Sequence, residues 1–317
     1  MPIGVLLVHG VGDQTSDWAD AHIRLLRQRV GQELVALKLD PAPDPVEAFL
    51  IGRVHWADVL QGHQQELSTI LNMVHDSATS SPDEAWWVRF INWITGKLRK
   101  AEGRFIAEFI GDVIGYHAEA TRTAIYATVT RALDELSAKL PAGSEKFPLT
   151  IISHSLGAVI VSDYIWDQAK ARRQQGLEGF HARWRFDNFF TMGSPMALFA
   201  LQYGGAQAFS QPISLEHPGG RWVNIYDTND PISMPLRPLN AAYRKTVLAD
   251  ARVRNGFYLW AHDGYFTSSH ILGIIGRKLA LDWCAEHSRL PAERLSRLAA
   301  QYDSTFSRLD NTATVPA

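Results

Sequence analysis

Hydrophobic positions along this chain follow two spacings. Short, largely apolar runs at 3–8, 149–152, 186–192 and 222–226 suit strands buried on both faces. Residues 49–56 and pieces of 247–258 add two further strand-like segments. Between them, apolar residues recur every three or four positions. Ile23, Leu26, Val30 and Leu34 make one stripe, on a helix expected over 18–34 with Asp17 as its cap. Ile125, Val129, Leu133, Leu136 and Leu140 make a second, over 116–140. Leu156, Val159, Ile160 and Tyr164 make a third, and Ile271, Ile274, Ile275, Leu279 and Trp283 a fourth, capped by Ser268 or Ser269. A short helix is expected near 291–300. Strands alternating with helices predict an α/β fold: a mostly parallel, doubly wound sheet with helices on both faces. Right-handed crossovers then bring the carboxyl ends of all strands to one edge.

Residues 57–115 break the alternation and read as a helical insertion. Ser81, Pro82 and Glu84 form a helix start, followed by Trp86, Trp87, Phe90, Ile91, Ile94 and Leu98 on one side. The organisation expected is therefore a core from 1–56 and 116–300, an inserted lid or cap from 57–115, and a flexible tail over 303–317.

Composition narrows the function classes. A formal charge of −2 over 317 residues leaves no electrostatic footprint for nucleic acid. The single cysteine, Cys284, excludes an intrachain disulfide and lies on an apolar helical stripe, as a buried thiol would. The first residues run straight into a strand, and no long apolar stretch follows, so a cytoplasmic location is expected. No Cys/His ligand spacing and no phosphate-binding glycine loop occurs, so neither metal nor cofactor is expected.

Chemistry concentrates just past strand ends. Residues 149–160 give strand, abrupt turn and helix, with Ser155 at the turn and Gly157 allowing close packing of the helix on the strand. That is the geometry of a nucleophile elbow, a serine with its hydroxyl exposed at the positive end of a helix. Ser153 occupies the first glycine position of G-x-S-x-G. The strand at 3–8 ends in His9-Gly10-Val11-Gly12, whose glycines let backbone N–H groups face an anion. Asp230, before Pro231, and His262, before Asp263-Gly264, follow two later strands. Asp227 is a rival acid; His270 and His217 are rival bases. A serine hydroxyl needs such a base, and the base needs a group to fix its tautomer.

His9-Gly10-Val11-Gly12, Ser153-His154-Ser155-Leu156-Gly157, Asn229-Asp230-Pro231-Ile232 and His262-Asp263-Gly264-Tyr265-Phe266 resemble, in that order, motifs of lipase- and esterase-like α/β-hydrolases. The resemblance covers about 1–55 and 116–285. It implies Ser155 as nucleophile, His262 as base and then acid, Asp230 as its orienting carboxylate, and the N–H groups of Val11 and Leu156 as the oxyanion hole. The implied substrate is a carboxylic ester, including lipid or other hydrophobic acyl groups. A peptidase or thioesterase uses the same triad, and a catalytically silent scaffold binding a partner through the insertion is the reading from another class. The tryptophan-rich stretch at 82–100 has three readings: a lid, a helix meeting a membrane surface through its basic side, or an oligomer contact.

Overall fold

A computed structural model describes residues 1–10, 15–59, 115–116, 118–143, 145–200, 204–255 and 259–307. Residues 60–114, and with them nearly all of the expected insertion and the stretch at 82–100, lie outside the described residues, as does Val11. The chain divides into two compact units. One comprises Met1–Gly10, Asp17–Val54 and Thr130–Ala317; the other comprises Val11–Ser16 and His55–Val129. Every candidate site residue except Val11 belongs to the first.

That unit is built on six strands: β1 (Ile3–Val8), β2 (Phe49–Val54), β3 (Phe147–His154), β4 (Trp184–Met192), β5 (Arg221–Asp227) and β6 (Val247–Val253). The helices are α1 (Asp20–Ala36), α2 (Pro45–Ala48), α3 (Glu119–Ser137), α4 (Leu156–Gln174), α5 (Met196–Phe199), α6 (Ala241–Thr246), α7 (Leu259–Asp263), α8 (Ser269–Glu286) and α9 (Ala292–Ser307). α3 begins in the second unit and ends in the first. The strands form one sheet in the order β2-β1-β3-β4-β5-β6. Every pairing in it is parallel, so the sheet expected to be mostly parallel is wholly so among the described residues. None of the described helices is long and apolar enough to cross a membrane.

Alternate residues of β1 explain the layers. Ile3, Val5 and Leu7 join a core with Leu26, Val30 and Leu34 of α1, Ile271, Ile275 and Leu279 of α8, and Tyr302 and Phe306 of α9. The opposite face carries α4 and the end of α3: Val8 meets Gly157 of α4, and Trp184 of β4 donates its indole N–H to the Leu133 carbonyl. A strand buried on both faces must be apolar at every position, and all six residues of β1 are buried.

Strand order creates the site. From β1 the chain goes out to β2 on one side, then returns to β3 on the other and continues through β4, β5 and β6. β1 and β3 are thus the topological switch point of the sheet, and in open α/β sheets ligands bind beyond the carboxyl ends of the strands at such a point. Val8 pairs with Ser153 in the β1–β3 register, which sets His9 and Gly10 beside His154 and Ser155.

Three expectations need correction. Asp17 does not cap α1: a turn accepting the Asp20 N–H on the Asp17 carbonyl precedes it, and Ala19 occupies the cap position. His262-Asp263 is the end of a short helix, α7, rather than a turn. The tail expected from 303 is helix through Ser307. Asp303 there accepts two hydrogen bonds from Arg221, at 2.9 and 2.8 Å, and Phe306 is buried, so packing and charge extend α9 beyond its apparent sequence limit.

Candidate active site

β3 ends at His154, and the next residue turns abruptly. Ser155 has φ 54° and ψ −134°, in the region that side-chain-bearing residues avoid, at a cost of order 1–3 kcal/mol. Its N–H donates to the Met192 carbonyl at the end of β4, which holds the strained residue in place. α4 begins at Leu156, so Ser155 sits at the positive end of a 19-residue helix. The amide of Leu156 is among the first-turn N–H groups that have no acceptor inside the helix.

The elbow depends on a close approach. A Cβ on Gly157 would lie 2.1 Å from the His9 carbonyl oxygen, so β1 and α4 meet at a distance only glycine permits. The serine in the first glycine position of the motif is accommodated too. Ser153 is fully buried, and its hydroxyl donates to the Phe190 carbonyl at 3.3 Å.

Ser155 itself is buried, with 0% exposure, where the motif had suggested an exposed hydroxyl. The reason is Gly10, whose Cβ position lies 2.5 Å from Ser155 Cβ and 3.2 Å from its Oγ; the end of β1 covers the serine. Ser155 Oγ makes no hydrogen bond among the described residues.

Asp230 and His262 meet. The His262 Nδ1–H donates to Asp230 Oδ2 at 2.8 Å, and both side chains are buried. This bond fixes the proton on Nδ1 and so puts the ring's lone pair on Nε2, the atom a base would use. Asp230 Oδ1 accepts the Ile232 N–H at 3.2 Å, an Asx turn just past β5. Asp227, the rival acid, is committed elsewhere: Oδ1 accepts the Asn229 N–H at 2.9 Å and Oδ2 the Asn255 N–H at 2.6 Å. The rival bases are remote in function. His270 is exposed on the first turn of α8, and His217 lies 3.9 Å from Asp187 near the start of β4.

Residue 154 links the turn at Ser155 to His262. The His154 Nε2–H donates to the His262 carbonyl at 2.8 Å, and the two rings lie 4.6 Å apart. Burial, then the facing His262, push the His154 pKa well below the ordinary imidazole value, so it stays neutral and keeps that N–H. His9 Nδ1–H donates to the Gly10 carbonyl at 2.6 Å and holds the loop that covers Ser155. An aromatic cluster borders these residues: Phe266 stacks on His22 at 5.0 Å and meets Trp18 edge-on at 5.5 Å and His154 at 5.9 Å.

Sequence reasoning placed Ser155, Asp230 and His262 at strand ends, and the fold brings Asp230 and His262 into contact beside the elbow. It gives no role to Tyr265, part of the motif around His262, whose phenol donates to Asp230 Oδ2 at 2.9 Å. Among the described residues, no group of three His, Cys, Asp or Glu side chains is arranged to hold a metal ion.

A comparison with protein-family models matches none of them, and no curated protein matches the chain. The functional reading therefore rests on this geometry.

Proposed function

We propose that this protein is a serine hydrolase of the α/β-hydrolase type that cleaves carboxylic esters through an acyl-enzyme on Ser155. The observation that carries the reading is the buried His262–Asp230 hydrogen bond of 2.8 Å, tied through the His154–His262 bond to the residue before a serine held at φ 54° between a parallel strand and a helix N-terminus. Structural serines rarely occupy strained backbone, and such strain clusters at functional sites. The all-parallel sheet, with Ser155, Asp230 and His262 following β3, β5 and β6 in that chain order, is consistent with the family.

In this reading, Ser155 Oγ attacks the ester carbonyl carbon as His262 Nε2 takes its proton. Asp230 balances the imidazolium charge. The negative oxygen of the tetrahedral intermediate is met by the Leu156 N–H, a donor worth about 3 kcal/mol to the transition state, and the sequence resemblance implies the Val11 N–H as a second donor. Collapse breaks the C–O bond, and His262 returns its proton to the departing alkoxide. Water, deprotonated by His262, then attacks the acyl-enzyme and releases the carboxylic acid and the free serine. Hydrophobic acyl groups and lipids are the substrates favoured by the apolar insertion in the sequence, whose stretch at 82–100 is also the candidate for membrane-surface contact.

A fluorophosphonate probe tests the assignment. Wild-type protein is expected to take one label, located on Ser155 by peptide mass spectrometry, and Ser155→Ala none. Labelling of another serine, or of neither protein at neutral pH, would remove the hydrolase reading and favour a silent scaffold. p-Nitrophenyl esters of rising acyl length would then define the pocket.

A further inference from the structure

Tyr265 is completely buried, and its phenol oxygen sits at a junction. It donates its one proton to Asp230 Oδ2 at 2.9 Å and accepts the Asp227 N–H, at the end of β5, at 3.0 Å. Ser233 Oγ lies 3.3 Å away. The same Asp230 oxygen accepts the His262 Nδ1–H. We propose that Tyr265 is a positioning residue of this site, which ties the triad acid to the last residue of β5 and tunes the charge that Asp230 presents to His262. The proposal rests on the hydrolase reading for its consequence in turnover, but not for its test.

The physical argument begins with the carboxylate. Asp230 lies on a loop beyond β5, not on the strand itself. Its Oδ1 is held by one loop amide at 3.2 Å. Its backbone N–H donates to the Asp227 carbonyl at 3.0 Å, and the carboxylate itself is joined to the end of β5 from the Asp227 N–H through the phenol to Oδ2. Burial and the Asp230 charge push the phenol pKa well above its ordinary value, so the phenol remains a proton donor throughout the range in which histidine titrates. A donor on Oδ2 also withdraws negative charge from the atom that faces His262. The ring is fixed independently of the phenol, packed 5.6 Å from the His154 ring and edge-on to His262 at 6.4 Å. A buried tyrosine needs some partner. What sets this one apart is that its partner is the oxygen orienting the base.

Tyr265→Phe keeps the ring and removes the junction. Without the phenol, Oδ2 carries more charge toward His262, the imidazolium is favoured, and the pKa of His262 rises. The titratable groups facing His262 among the described residues are Asp230 and His154, together with Tyr265; Asp263 is its chain neighbour. Among the interactions of these groups with one another, Tyr265→Phe removes the Tyr265–Asp230 bond; it also frees the Asp227 N–H and Ser233 Oγ, which do not face His262.

The test is a titration of His262 by ¹⁵N-detected NMR in full-length wild type, Tyr265→Phe, and the pair Asp230→Asn and Asp230→Asn/Tyr265→Phe. The expected result is an upward shift caused by Tyr265→Phe that disappears when Asp230 is Asn. In parallel, kcat/KM of an activated ester falls roughly tenfold and its acid limb moves to higher pH. An unchanged His262 titration, or an equal shift in the Asn background, overturns the proposal, because a merely structural tyrosine would lower stability alone. Should Tyr265→Phe fail to fold, 3-fluorotyrosine at 265 replaces it. That more acidic phenol donates more strongly and is expected to lower the His262 pKa; no change overturns the proposal. A protein that never labels at Ser155 refutes the hydrolase reading, while the NMR result still decides the role of Tyr265.

Discussion

Asp230→Asn is expected to lower ester turnover by about 10⁴-fold, while Asp227→Asn lowers it by less than about tenfold. The two aspartates stand three residues apart and are both buried, yet their oxygens face different partners. Asp230 receives His262 Nδ1–H. An asparagine amide there can donate to Nδ1 instead, which drives the ring proton to Nε2 and removes the lone pair that the mechanism needs. Asp227 holds the backbone of residues 229 and 255. Its replacement leaves one buried amide poorly satisfied and costs about 1–3 kcal/mol of stability. Steady-state turnover and chemical denaturation on both variants check this. The reverse pattern, with activity lost at 227 and kept at 230, would move the acid and undo the site as drawn.

Gly157→Ala is expected to reduce stability by about 3 kcal/mol and to abolish probe labelling. The added methyl would lie 2.1 Å from the His9 carbonyl oxygen and 3.0 Å from Val8 Cγ1. The first of these is backbone, so no rotamer change relieves it, and β1 must separate from α4. His9 and Gly10 then shift relative to Ser155. A urea melt should show a lower midpoint with an unchanged slope. A variant as stable and reactive as wild type would mean that the approach of strand and helix is not needed.

Much of the fold is legible in the sequence because a parallel strand buried on both faces leaves a plain mark. β1 coincides with the apolar run that predicts it. β4 and β5 extend only a residue or two beyond theirs. The stripe of α8 is buried as spaced, and so is that of α1 except Ile23, which is half-buried, since helical periodicity and a flat apolar partner determine each other. Ser155 is legible for a local reason: strand, small residues and helix in immediate succession dictate a sharp turn. What escapes is decided between distant segments. Pro231 favours Asp230 over Asp227 as a turn residue, but which of them faces a histidine depends on where α7 returns. Tyr265 and His154 look like ordinary loop and strand residues until the chain ends converge. α9 outruns its expected limit because Arg221, on another element, holds Asp303.

The pairing of β1 with β3 also governs when the site comes into being. Gly4 is hydrogen-bonded beside Leu149, so two central neighbours of the sheet are separated by nearly half the polypeptide, and joining them costs loop entropy before any contact repays it. Hairpin-like local order cannot substitute, because every pairing in the sheet is parallel and needs a crossover. Gly10, which covers the serine, and the turn that carries Ser155 follow directly on those two strands, so on the proposed hydrolase reading a nascent or partly folded chain lacks the assembled site until the centre of the sheet has closed.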